Sequence, residues 1–363
     1  MTAGATFFSR NYCEARRRFQ EAAARQGAVL SEYRVVPDSA EPLCIDVAHL
    51  GDPSAPQALV VSSGVHGVEG FFGSAVQLAW LEGLAEQPLP AGHQAILIHA
   101  VNPVGMAHLR RFNEDNVDLN RNFHEGSAGY QGAPAGYADL DGLLNPPSPP
   151  SPWEPFRLKA IWNILRHGLP ALKNAVAGGQ YEFPRGLFFG GHSQSASTRI
   201  IQAEIAGWLG GADRIIHIDL HTGLGPFATY KLLLAEDDGS PRYPWYQQTF
   251  GPEHIEPFAA ADKTAYATNG SLGSWLLGRF PALDYRFAVA EFGTYDVIRV
   301  LASLRAENRA HFYADPDSQT AKSAKLKLLD TFVPHDPDWR NQVVKAGLNI
   351  LTQAQLGLTQ AEG

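Results

Sequence analysis

Cysteine is scarce: Cys13 and Cys44 are the only two in 363 residues, too few for a disulfide framework and without metal-ligand spacing. They read as reduced, structural thiols of a cytoplasmic protein. Long apolar runs are missing too. No window approaches the roughly eighteen residues of a membrane span, and the opening stretch MTAGATFFSRNYCEARRR has no apolar core of signal length. Neither secretion nor a membrane partner is therefore expected. Basic charge is also in short supply: Lys and Arg total 29 against 37 Asp and Glu, a net charge of -8. With no basic stripe to neutralise phosphates, nucleic acid is excluded as the expected partner. The run Arg16, Arg17, Arg18 lies between Glu14 and Glu21 and reads as a solvated helix face. A Gly-x-Ser-x-Gly elbow is absent, which argues against a serine hydrolase.

What is present is an apolar fraction of 45%, ample for a large core. No internal repeat or clear linker divides the chain, so residues 1–363 are expected to form one domain. Residues 12–26 have the composition and spacing of an amphipathic helix. Strands are expected at 32–36, 43–48, 58–63, 95–101, 214–220, 230–235 and 287–292, and helices at 71–84, 195–208 and 271–280. Residues 153–177 read as a helix or a helix pair broken at Pro170, and three helices over about 297–355 close the chain. Residues 126–155 are rich in Gly, Pro and Ser and read as a long insertion of polyproline character, a wall or lid over one edge of the site. The region 243–268 gives no clear assignment. The pattern is that of an α/β fold: a mixed, mostly parallel twisted sheet flanked by helices.

The chain is organised around ALVVSSGVHGVEGF, residues 58–71, where a buried strand runs into a Gly-studded turn bearing His66 and Glu69. Open α/β sheets build their sites at such carboxyl ends. Thirteen His in the chain make one His-x-x-Glu pair common by chance, so the pair alone proves little. Two further apolar strands end the same way, however. RIIHIDL runs to His221 and a Gly-rich turn, with His217, Asp219 and His221 on one face of the strand. FAVAEF contains Glu291 as its one charge, costly in such a strand without a partner or a task. Between the first two lies a loop rich in Arg and Asn, MAHLRRFNEDNVDLNRNF. Two imidazoles and a carboxylate can hold a catalytic zinc and leave a position open, and a separate carboxylate can then move the proton.

This ordered set resembles the zinc carboxypeptidases related to carboxypeptidase A, and more closely an uncharacterised bacterial branch of them. The resemblance rests on His66-Gly67-Val68-Glu69, on Asn102-Pro103-Val104-Gly105, on Arg111 with Val117 to Phe123 (VDLNRNF), on His221 and on Glu291 in AEFGTY, and spans about 40–310. It implies a zinc carboxypeptidase-like fold and one Zn2+ per chain bound by His66, Glu69 and His221. It further implies Glu291 as general base and acid, Arg111 as oxyanion stabiliser with Arg110 as runner-up, and Asn120 with Arg121 as the grip on a substrate carboxylate. Asp219 reads either as a group orienting a ligand or as a strand-end Asp bonded to backbone. The Tyr that digestive members bring over the substrate has two candidates, Tyr230 and Tyr266. His99 and His217 read as satisfied strand histidines, and His192 as loop structure. The implied activity is a metallocarboxypeptidase-like hydrolysis of a peptide or other amide bond next to a free carboxylate. Two alternatives stand beside it: an N-acyl amino acid deacylase, since relatives with that activity use a similar Asp-Leu-Asn-Arg loop, and a zinc-binding but inactive module. The substrate is expected to be a small peptide or acyl amino acid, and the sequence leaves the oligomeric state open.

Overall fold

The computed structural model of the chain describes residues 4–167, 178–257 and 269–359. Among the described residues eight strands form one mixed sheet: β1 Val29–Arg34, β2 Cys44–Gly51, β3 Gln57–Ser63, β4 His93–His99, β5 Arg214–Thr222, β6 Tyr230–Leu234, β7 Ile255–Pro257 and β8 Asp284–Phe292. Their order is β1-β2-β4-β3-β5-β8-β6-β7. The four central strands, β4-β3-β5-β8, are mutually parallel, and β2 and β6 join them antiparallel. The expected α/β class and mostly parallel core are thus what the chain adopts. Sequence explains the choice. β3, β4 and β5 are buried along nearly their whole length, as strands covered on both faces must be: each carries an apolar run of Ala, Val, Ile or Leu, and β5 interleaves its Ile and Leu with His217, Asp219 and His221.

The helix Gly70–Gly83 packs on β3, β4 and β5, and the long C-terminal helix Pro337–Thr359 on β3 and β5. The helix Ala196–Leu209 is capped by Ser195, whose side chain accepts from Thr198 N. Among the described residues no helix is long and apolar enough to cross a membrane.

Several expectations shift. β1 lies three residues earlier than read at its start, and β8 begins at Asp284 rather than Phe287. The insertion at 126–155 is not all extended: Tyr137–Leu144 is a helix with Tyr137, Leu140 and Leu144 buried. It starts from Gly136 at φ 87, a left-handed entry that a glycine accepts readily. Glu154 ties the end of the insertion to the helix Val297–Tyr313 through Arg305 at 2.6 Å and through Arg309. Helix Tyr243–Phe250 and strand β7 fill part of the unassigned region. Helix Phe156–His167 accounts for the start of 153–177, and the expected break at Pro170 lies outside the described residues, as does Tyr266. Both cysteines are free, but Cys13 is exposed, so only the buried Cys44 fits the structural role.

Candidate metal centre

Parallel pairing brings the three strand ends together. In the β5–β8 register His221 stands opposite Glu291, and β3 is β5's other neighbour, so the turn after Ser63 rises beside both. Gly64, at φ 69, bends the chain out of β3. His66 follows in extended conformation, and Gly67–Glu69 form a single helical turn that leads into the helix at Gly70.

The glycines of the two turn motifs have a packing reason. A Cβ on Gly67 would stand 2.2 Å from the carbonyl carbon of Gly105, and one on Gly105 2.7 Å from the carbonyl oxygen of Phe112. The HGVE turn and the NPVG turn therefore touch backbone to backbone. Asn102 fastens the second turn, accepting from Gly105 N at 2.8 Å and donating to Arg111 O at 3.2 Å. Gly67 N and Val68 N donate to Arg111 O and Arg110 O. The HGVE turn and the Arg loop are therefore one hydrogen-bonded unit.

His66, Glu69 and His221 are all buried and converge on a point. His66 Nδ1 lies 2.9 Å from Glu69 Oε1, His221 Nδ1 lies 3.2 Å from Glu69 Oε2, and the two Nδ1 atoms are 3.2 Å apart. Donors bonded to zinc at tetrahedral angles stand about 3.3 Å from one another, so the spacing suits one ion. The far side of each ring meets a carboxylate: His221 Nε2 is 2.6 Å from Asp219 Oδ2, and His66 Nε2 is 3.2 Å from Asp118 Oδ1. Protons held there leave the Nδ1 lone pairs facing each other and Glu69, an arrangement that only a cation or a shared proton relieves. The residues present fit a divalent metal.

Arg111 sits within this shell. Its Nε donates to Asp118 Oδ2 at 3.0 Å and its Nη1 to Glu69 Oε1 at 3.2 Å, while Nη2 is 2.7 Å from His66 Nε2. One ring nitrogen cannot donate to Asp118 and accept from Arg111 at once. Accepting from Arg111 puts the His66 proton on Nδ1, towards Glu69; ligation by Nδ1 requires the other tautomer, with Asp118 as acceptor.

Charge in the shell is strongly mutual. Burial opposes the charge of Glu69, but His66 and His221 outweigh it and hold the carboxyl well below its usual range. Burial likewise opposes Asp118, and Arg111 and Arg121 overcome it in the same direction. For His221 burial favours the neutral ring, yet Asp219 and Glu69 push its proton affinity well up. Glu291 differs: burial, and then repulsion from Glu69, raise it to about 7. Its Oε1 accepts from Leu224 N at 2.8 Å, two residues beyond Thr222, whose own N–H donates to Glu69.

The remaining residues singled out in the sequence have these surroundings. Arg110 is committed elsewhere, to Glu307, Asn116 and Asn308, which sets it apart from the site. Asn120 Oδ1 accepts from Leu272 N, and Arg121 is 1% exposed with Nη1 donating to Asn120 O. Tyr230 is half-buried and stacked on His254 with centroids 4.5 Å apart. His192 is exposed. Asp118 is the site residue that sequence reading passed over as an orienting group. Its place directly before the Leu-Asn-Arg run is visible in the sequence, but its contact with His66 is not.

These features define an α/β protein whose central parallel strands deliver two histidines and a glutamate to a candidate metal centre, with a second glutamate on the adjoining strand. The chain belongs to the family described as "Protein of unknown function (DUF2817)", whose model matches residues 8–346. No curated protein matches it. Among solved structures it is similar to a metallo-carboxypeptidase from Pseudomonas aeruginosa in complex with (2-guanidinoethylmercapto)succinic acid, at 13% identity over 96% of this chain and 68% of that one, TM-score 0.49. It is similar to carboxypeptidase A from Helicoverpa armigera at 13% identity, 88% and 73% coverage and TM-score 0.48. It is also similar to a succinylglutamate desuccinylase from Chromobacterium violaceum at 15% identity, 83% and 74% coverage and TM-score 0.39. Carboxypeptidase A-like enzymes are the family that the motif set resembles.

Proposed function

We propose that the chain is a zinc-dependent, carboxypeptidase-like amidohydrolase that cleaves an amide bond next to a free carboxylate. The observation that supports this best is the meeting of His66 Nδ1, Glu69 and His221 Nδ1 within 3.2 Å of one another, beside the raised carboxyl of Glu291. His66, Glu69 and His221 would hold one zinc, which when bound supplies the charge that polarises a carbonyl and lowers the proton affinity of water.

The chain's own groups do the rest. Glu291, with a proton affinity near neutrality, accepts the proton of the attacking water as the C–O bond forms and delivers it to the amide nitrogen as the C–N bond breaks. Arg111 faces the negative charge that develops on the carbonyl oxygen. Asn120 and Arg121 orient the substrate by its carboxylate, a task suited to a planar guanidinium. A small peptide and an N-acyl amino acid both offer a carboxylate beside an amide, so the Asp118–Arg121 loop serves either.

A substrate panel on the zinc-loaded protein tests the proposal. Blocked dipeptides should be cleaved in preference to N-acetyl and N-succinyl amino acids; the reverse order makes the chain a deacylase. Turnover of neither class by protein with full zinc makes it an inactive metal-binding module.

A further inference from the structure

The polar groups on the inner face of the sheet do not stop at the metal centre. Below Asp219 the strands β3, β5 and β8 carry Ser62, His217 and Tyr285, all buried, on the same face as His221. Tyr285 Oη is 2.8 Å from His217 Nδ1, His217 Nε2 is 2.7 Å from Ser62 Oγ, and Ser62 Oγ donates to Asp219 Oδ1 at 2.7 Å. Asp219 Oδ2 then meets His221 Nε2 at 2.6 Å.

Hydrogen counting fixes the direction of this chain. Asp219 presents its two oxygens to two neighbours, accepting from Ser62 Oγ on Oδ1 and facing His221 Nε2 with Oδ2. Ser62 has one proton and spends it on Asp219, so it can only accept from His217. His217 therefore holds its proton on Nε2 and accepts on Nδ1, where Tyr285 donates. Burial pushes His217 down to about 4, so the ring is neutral and one proton is all it has. Every donor points towards Asp219.

We infer that Tyr285, His217 and Ser62 are positioning residues that orient Asp219 and, through it, hold His221 in the tautomer that turns Nδ1 to the metal. The inference rests on the reading of His66, Glu69 and His221 as a zinc site. The hydroxyl of Ser62 anchors Oδ1, so the carboxylate cannot rotate away from the imidazole that Oδ2 orients. Partners of this kind typically change metal affinity by about 10-fold or more when removed.

Zinc affinity by chelator competition, set beside the melting temperature of the metal-free protein, tests it. Ser62→Ala is expected to weaken zinc binding about 10-fold, Tyr285→Phe by less. In an Asp219→Ala background Ser62→Ala should have no further effect, because the path through Asp219 is already cut. Unchanged zinc affinity in both single variants, or an undiminished Ser62→Ala effect in the Asp219→Ala background, overturns the inference even if the melting temperature falls. Wild-type protein that takes up no zinc overturns the metal-centre reading together with this one. Should Ser62→Ala fail to fold, ring 15N shifts of His217 in the wild-type protein give the same answer: a proton on Nε2 is expected, and one on Nδ1 contradicts the chain's direction.

Discussion

Replacing Glu291 by Gln should make the metal-free protein more stable at pH 8 while removing its activity. Burial raises the carboxyl from 4.5 to about 7 in the folded protein, a difference of about 2.5 units at about 1.36 kcal/mol each, so ionising Glu291 costs the fold on the order of 3 kcal/mol. The sign follows from the raised value. Below the unfolded value near 4.5 both states are protonated and the cost is absent; it grows as pH rises to 7 and is then constant. Gln keeps the oxygen that accepts from Leu224 N and never ionises. Denaturant unfolding of metal-free wild type and Glu291→Gln at pH 5 and pH 8 isolates the effect, because the other titrating groups are common to both proteins. The variant should gain roughly 2–3 kcal/mol over wild type at pH 8 relative to pH 5. A stability difference that does not change with pH, or that falls at pH 8, refutes the account of Glu291 as a carboxyl destabilised for its task. In the zinc-loaded enzyme the same substitution should lower kcat by about 10²–10⁴-fold with metal content unchanged.

Asp118→Asn should weaken zinc binding by about 10–100-fold, because the negative charge that holds the proton on His66 Nε2 and pairs with Arg111 Nε is lost, read by chelator competition. Gly67→Ala forces a Cβ to 2.2 Å from backbone at Gly105, and because neither turn can yield without moving His66, both zinc uptake and melting temperature should fall sharply. Glu154→Ala removes the partly exposed carboxylate shared by the buried guanidiniums of Arg305 and Arg309, which keep Leu143 O, Ser148 and Pro149 O as acceptors, a loss of about 1.5–3 kcal/mol. That variant should also expose residues 126–155 to limited proteolysis. Arg305 and then Arg309, against an opposing push from burial, bring the Glu154 carboxyl down to about 2, so its contribution is present above the unfolded value near 4.5 and is lost as pH falls towards 2.

Much of this was legible in the sequence because the central strands carry short apolar runs and lead into a titratable residue and a turn. RIIHIDLHT and FAVAEF name β5 and β8 by composition, and parallel pairing alone sets His221 opposite Glu291. What was missed depends on tertiary context. The three residues of β7 have no period of their own and are strand only because Leu232 to Leu234 pair with them. The helix Tyr137–Leu144 is short, and the Pro and Gly around it outweigh its apolar spacing until Tyr137 donates to Leu187 O. Neighbouring Arg110 and Arg111 look alike in sequence; only the fold sends one to Glu307 and the other to Glu69. Asp118 was hidden for the same reason, since its role as acceptor for His66 spans fifty-two residues.

Metal stoichiometry is the most direct test of the central claim. After loading with zinc and removal of free metal, wild type and Glu291→Gln should each retain one zinc per chain, and His66→Ala and His221→Ala should retain none. A wild-type protein without zinc, or full zinc in both histidine variants, contradicts the account.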